Sequence, residues 1–444
     1  MEADFMVQRR LVISVLVLLL LASFAFADGQ GEKGKITLFV ATTVDIMIPR
    51  DGYITQPFLT ENPNVKLEWV PISVADASTI GMDARIASGL PVHFYHDYMS
   101  RAGKFAVPKT KENQAIWALD LSKYIDDLDD YMPRVLDPFW KDGKIYTVPN
   151  ASLVVGQLLN LSVMDKAGYK PPPVEGWTLA EFVKCAQKTK AAQIPDTYAT
   201  LMFAENRSGD WMYMGWLSSF GAQLFDGGDY SKTIIDSPEG LKVFEFWKAL
   251  QNTGFIPYDA AVMNDDHAIE YRNAGRLAVM GDRAADFNNP IYQQSLVDSG
   301  MIEEPYQTAF YPYPKGPIIE KVPMVTSYEL TVAFDVGTEE EKAAAASLAW
   351  YFTNTATQTY LCTQLNKFPT RKSVADVDQA WWRNIKALLV ANGTLDVGGN
   401  LGCYDGIRGA MFPQLQKLFI GKASPAEAVK LYAEALNKVL SEDQ

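Results

Sequence analysis

After a polar stretch from Asp28 to Gly34, the run KITLFVA is apolar and ends in the polar TTVD, which predicts a buried strand and a turn. Gln56 to Thr60 continues a helical pattern, and ENPN then turns the chain into VKLEWVPI, a second strand. TIGMDARIASGLP puts Ile80, Ala84 and Ala87 on one helical stripe that Gly89 and Pro91 end. VHFYHDY follows as a short apolar strand. Strand, helix, strand, helix, strand in that order predicts a parallel sheet covered by helices. Ligands of such sheets gather at the carboxyl ends of the strands.

Later helix starts carry explicit signals. Thr178 is placed as an N-cap with Glu181 as its capping-box partner, and Trp177 and Phe182 form a hydrophobic staple. Ser237-Pro238 and Ser424-Pro425 set a capping serine before a proline at the first helical position. Thr338 to Glu341 opens an alanine-rich helix predicted to run to about Leu361. No internal repeat or low-complexity tract interrupts the pattern. The expected architecture is two α/β lobes, with helices concentrated toward the C-terminal half.

The run GDWMYMGWLSSFGAQLF is the most aromatic stretch. As a helix from Asp210 to Leu224 it lines up Tyr213, Trp216, Leu217, Phe220 and Leu224 as a core stripe. Trp211 shares its face with Gly215, Ser218 and Ala222, small residues that leave room beside the ring.

Composition narrows the function. A chain of 444 residues suggests two or three domains, and a net charge of -13 argues against a nucleic-acid partner. Arg9-Arg10, the apolar run Leu11 to Leu21 and Ala25-Phe26-Ala27 read as a secretory signal peptide over residues 1–27, followed by a linker over 28–34. Met6 is an alternative start, and no cysteine lies near the cut to anchor a lipid. The mature chain is expected to be soluble and exported. Cys185, Cys362 and Cys403 are widely spaced, compatible with one disulfide and a free thiol or with three thiols.

Catalytic constellations are weak. Gly29-Gln-Gly31-Glu-Lys-Gly34 matches G-x-G-x-x-G but lacks the preceding strand and following helix that a dinucleotide site needs. Gly215 to Gly221 misses the nucleophile elbow by spacing. His93 and His96 fall on opposite faces of a strand, a poor metal pair. Asp129-Asp130 and Asp265-Asp266 read as solvated surface turns ahead of a carboxylate pair for glycoside cleavage. The balance favours binding over catalysis.

In this order the segments resemble the extracellular solute-binding proteins of bacterial ABC importers, of the maltose-binding type. KITLFVATTVD with FLTENPNVKLEWVPI, ARIASGLPVHFYHDYMSRAGKFA, DGKIYTVPNASLVVGQLLNLSVMDKAGYKPPPVEGWTLAEF, NAGRLAVMGDRA and WYFTNTATQTYLCTQLNKFPTRKSV stand in register with that family. The resemblance implies a type II periplasmic binding protein fold. Each lobe would be a mostly parallel sheet flanked by helices, with residues 35–149 plus 322–368 in one and 150–321 plus 369–444 in the other. Hinge crossovers are implied near Pro149 to Ser152, Val322 to Thr326 and Phe368 to Arg371. It also implies capture of a carbohydrate, neutral or acidic, by a monomer that delivers it to a membrane permease without a cofactor. A polyamine, an anion or a metal on the same scaffold, and a secreted carbohydrate-active enzyme, are the alternatives.

The implied ligand positions are Thr43 and Asp45 after the first strand, His96, Asp97 and Tyr98 at the end of the third, and Asn150 at the first crossover. Trp211, with Met212 beside it, would stack on a sugar. Asp282 and Arg283 follow Gly281 where many relatives carry a tryptophan, which admits an acidic sugar. Tyr328 replaces a glycine and narrows the pocket, and Arg371 is expected to be structural.

Overall fold

The computed structural model describes residues 35–43, 48–72, 80–107, 117–132, 135–205, 209–283, 290–365, 367–374, 380–398, 401 and 403–443. Asp45 and the segment 1–34 lie outside them.

Strand β1 (Ile36–Thr43) lies between β2 (Val65–Ile72) and β3 (Phe94–Tyr98), parallel to both. Helix α1 (Ile48–Glu61) and helix α2 (Ile80–Ala87) make the two crossovers, as the alternating pattern requires. Leu38, Val40, Ala41 and Thr42 of β1 are all buried, so both faces of the strand are covered. A short helix, α3 (Met99–Ala102), leaves the carboxyl end of β3, and a two-stranded hairpin, β4 (Trp140–Lys141) and β5 (Lys144–Ile145), precedes the long strand β6 (Val148–Asn160).

The chain then adds α4 (Leu179–Ala191), α5 (Trp211–Phe220), α6 (Pro238–Asn252), β7 (Val279–Arg283), β8 (Thr308–Tyr311) and β9 (Val325–Ala333). It closes with α7 (Glu339–Thr353), α8 (Thr355–Leu365), α9 (Tyr404–Phe419) and α10 (Pro425–Asp443). The strands form one seven-stranded sheet in the order β2-β1-β3-β9-β6-β7, with β8 also on β6. Here β7 and β8 run antiparallel to β6, a detail that a mostly parallel second lobe did not anticipate. The parallel pairing in this half comes from the bridges Tyr198–Leu277 and Thr178–Lys315.

Two hydrophobic cores hang on this sheet. The first gathers β1, β3 and the end of β9 with Ile54 and Phe58 of α1 and Leu348 and Phe352 of α7. The second gathers Val155 and Leu159 of β6 with α4, α5, α6, α9 and α10, around Phe182, Trp216 and Trp247. Strand β6 runs from one to the other: Val148 and Ala151 pack in the first core, Val155 and Leu159 in the second. Strand β9 makes the reverse passage, from Val325 to Leu330. A small cluster of Val154, Met324, Phe368 and Ile385 sits at the crossing, and Ser152 donates to the Phe368 carbonyl at 2.9 Å.

The helix signals largely operate as written. Thr178 accepts from the Glu181 amide at 3.3 Å, although the Glu181 carboxylate turns to Tyr169 instead of completing the box. Thr338 and Glu341 do form the reciprocal pair. The alanine-rich helix, by contrast, stops at Thr353. Asn354 is extended and its Oδ1 accepts from the Thr357 amide at 2.9 Å, starting a new helix. Helix α5 also ends early, at Gly221, whose φ of 76° is left-handed. It is buried on nearly every side. The space expected beside Trp211 is occupied at Gly215 by Tyr313, whose ring would lie 2.1 Å from an added Cβ.

Candidate functional site

The carboxyl end of β3 carries a closed polar cluster. Asp97 is fully buried and accepts from the Tyr95 hydroxyl at 2.6 Å and the Tyr98 amide at 2.7 Å. Arg101, in the short helix α3 that follows, donates Nε to Oδ2 at 2.7 Å and Nη2 to Oδ1. Burial works against the charge on Arg101, but Asp97 outweighs it and holds the guanidinium charged. Asp97 was expected to accept sugar hydroxyls; here its oxygens serve Tyr95, Tyr98 and Arg101.

A matching pair faces it from the other core. Asp210 precedes α5, and its Oδ1 accepts Arg408 Nε at 2.7 Å and Nη2 at 2.5 Å. The Arg408 guanidinium lies 5.9 Å from the Tyr404 ring centroid. Burial and then Asp210 push the Tyr404 hydroxyl well above its ordinary range. Helix α3 packs against α9, and Arg101 lies near enough to Arg408 to oppose its charge, so the two pairs share a seam between the cores. Neither Arg101, Arg408 nor Asp210 was a sequence candidate. The Asp97–Arg101 pair joins the end of β3 to the short helix after it, four residues on, whereas nothing local joins Asp210 to Arg408.

A third polar cluster lies where the strands cross. Pro149 has no amide hydrogen, and the β6–β9 register shifts between Pro149 and Ala151, leaving Asn150 as the extra residue of a bulge. Asn150 Nδ2 lies 2.9 Å from His96 Nε2. That same nitrogen is 3.9 Å from Glu329, whose other oxygen is 3.4 Å from Lys367. His93 serves a different neighbour, its Nδ1 accepting from the Phe39 amide at 3.0 Å. The sequence candidates His96 and Asn150 are therefore brought together, where β6 and β9 cross.

The other candidates are dispersed. Thr43 ends β1 opposite Ile72, and Thr42, fully buried, pairs in register with His96. Trp211 begins α5 beside Asp210 and is half-buried against the second core. Met212 is core, and its carbonyl accepts from the Tyr313 hydroxyl at 2.6 Å. That contact explains Gly281, where any Cβ would strike both groups. Asp282 and Arg283 end β7 opposite Gly156 and Val155, and Val155 also pairs with Val325 of β9. Tyr328 packs edge-on to Phe139, with ring centroids 5.6 Å apart. Burial first and Asp137 second push its hydroxyl up to about 12.

Arg371 and Asp130 fasten the segment that follows Phe368. Arg371 is fully buried, stacks 4.5 Å from the Tyr131 ring centroid and pairs with Asp127 and Asp130. Asp130 also accepts from the Ser373 amide and hydroxyl. The reading of Asp129-Asp130 as a solvated turn is thus corrected for Asp130. No disulfide joins the three cysteines: Cys185 and Cys362 are buried and Cys403 is half-buried.

A fold with two cores joined by crossing strands, and polar clusters facing each other at the join, defines a class of solute-capturing proteins. Residues 54–388 match the family model of the bacterial extracellular solute-binding protein, and the chain belongs to that family. An uncharacterized ABC transporter extracellular-binding protein of Pyrococcus horikoshii is 25% identical over 357 residues, covering 76% of this chain and 73% of that one.

Among solved structures, the fold resembles the GacH receptor of Streptomyces glaucescens, determined unliganded and with acarbose. That match has a TM-score of 0.73 at 16% identity, over 92% of this chain and 99% of that one. Maltose-bound MalE3 of T. maritima gives 0.71 at 17% identity, over 90% and 98%. An ABC transporter solute-binding protein of Thermotoga lettingae with α-D-tagatose gives 0.72 at 20% identity, over 91% and 99%. The chain has the type II periplasmic binding protein fold and is an ABC-type extracellular solute-binding protein. Among the described residues no helix is long and apolar enough to cross a membrane.

Proposed function

We propose that this protein captures a carbohydrate between two lobes outside the cytoplasm and hands it to an ABC permease, with no covalent step. The observation that carries this reading is the seam itself. It offers the half-buried Trp211 ring beside Asp210 of the Asp210–Arg408 pair, with Asp97–Arg101 where α3 packs on α9. Sugars present an apolar C–H face to an aromatic ring and a rim of hydroxyls to planar polar groups. Relatives of the same fold are described with maltose, acarbose and tagatose, which supports the class of ligand.

On this reading residues 35–149 plus 322–368 form one lobe and 150–321 plus 369–444 the other. They swing about β6, β9 and the segment at Phe368. Ligand favours the closed form because it touches both lobes there and one lobe in the open form. Residues 1–27 act as the export signal and the mature protein works as a monomer. Thr43, Asp282, Arg283 and Tyr328 are further ligand contacts on this reading, and Asp45 follows from the sequence resemblance alone.

Isothermal calorimetry on the mature chain against a panel of neutral and acidic sugars tests the proposal. One-to-one binding of at least one sugar, with a smaller radius of gyration on saturation, is the expected result. Binding of a polyamine or metal with silence toward every sugar would remove the carbohydrate. Turnover of glycans would remove the purely binding role.

A further inference from the structure

Two guanidinium groups share the seam from opposite cores. Arg101 commits Nε and Nη2 to the two oxygens of Asp97, and Arg408 commits Nε and Nη2 to Oδ1 of Asp210. In a planar guanidinium that edge faces its carboxylate, so the third nitrogen, Nη1, points away from it. Arg408 is 4% exposed, and its Nη1 is buried without a hydrogen-bond partner. A buried charged donor with no acceptor is costly, and the cost is removed only when a neighbour supplies an oxygen. Asp97 already accepts four bonds, and Asp210 Oδ1 already accepts two.

Charge sharpens the demand. Burial opposes the charged form of Arg408 and Arg101 adds like-charge repulsion, but Asp210 outweighs them and keeps the cation. The two guanidinium groups repel each other across the seam, each offset by its own carboxylate. A sugar hydroxyl at Arg408 Nη1 would bring a proton that needs an acceptor of its own. A carboxylate is acceptor-only and relieves the repulsion as well.

We infer that Arg408 and Arg101 clamp an anionic group, and that the captured solute is an acidic saccharide presenting a uronate carboxylate to the seam. This rests on the carbohydrate reading above and specifies its ligand.

The test is calorimetry on the mature chain with galacturonate and glucuronate, as monomers and short oligomers, beside the matching galactose and glucose forms. The uronate should bind at least about tenfold tighter than its neutral partner, the effect of one charge-assisted bidentate contact. That preference should shrink as salt rises. Arg408→Gln and Arg101→Gln should each lessen it, and Arg408→Lys should retain part of it. The wild-type ratio needs no variant, so a misfolded substitution leaves the test intact. Equal or tighter binding of the neutral partner overturns the anion clamp and leaves the carbohydrate reading standing. A preference kept in folded Arg408→Gln overturns the assignment to these arginines. Silence toward both sets overturns the uronate ligand, and the wider sugar panel above decides the carbohydrate reading.

Discussion

Arg408 donates to Asp210 at 2.7 Å across a separation of 198 residues, tying the start of α5 to α9. Both side chains are buried, so each charge depends on the other. Removing one partner strands the other in a low-dielectric interior. Asp210→Ala should destabilise the protein by about 3–5 kcal/mol. Asp210→Ala combined with Arg408→Met should recover most of that loss. Urea denaturation measures both, and a single-variant loss below about 1 kcal/mol would show the pair to be solvated.

Trp211→Ala should weaken sugar binding by about 1–3 kcal/mol if the ring stacks on ligand. Because the ring is only half-buried, the melting temperature should fall little. Unchanged affinity with a marked loss of stability would make Trp211 a packing residue.

Gly215 admits the Tyr313 ring where a Cβ would intrude to 2.1 Å. Gly215→Ala should therefore cost about 1–3 kcal/mol by overpacking. It should also disturb the Tyr313–Met212 bond at 2.6 Å. Thermal melting checks the first effect, and a stable variant would mean that α5 shifts freely.

Asp130 gives the segment that follows Phe368 an acid-sensitive anchor. Burial raises its pKa, but the bonds from Ser373 and Arg371 outweigh burial and hold it below its ordinary 3.8. A depressed carboxyl contributes stability that is fully present above 3.8 and is lost as pH falls through the folded value. Asp130→Asn should flatten that acid limb while lowering stability at neutral pH. A parallel stability-versus-pH curve in the variant would contradict the role.

Burial pushes the Cys185 and Cys362 thiols up to about 12, which keeps them protonated and unreactive. Native protein should react with an aromatic disulfide reagent at Cys403 alone, and at all three cysteines once unfolded. Rapid labelling of Cys185 in the native state would show that α4 opens.

The sequence by itself was enough for the first three strands and for several helix starts. Apolar runs bounded by turns marked β1, β2 and β3, because a strand covered on both faces has no polar alternation. Thr178, Ser237 and Thr338 marked helix starts, because a capping side chain satisfies orphan amides within its own turn. These signals are local, and local physics writes them into neighbouring residues. The early stop at Thr353 was missed because Asn354 competes for the next turn's amides, a choice that depends on where α8 must go.

Tertiary structure decided the rest. Nothing in the run around Trp211 announces that Tyr313 fills the space beside Gly215, or that Asp210 answers to Arg408. Asp97 stood out as an acceptor at a strand end, but only the packed neighbours Tyr95 and Arg101 show that its oxygens are taken. Ion pairing and close packing act through distance in space, and residues far apart in the chain carry no shared pattern before the fold brings them together.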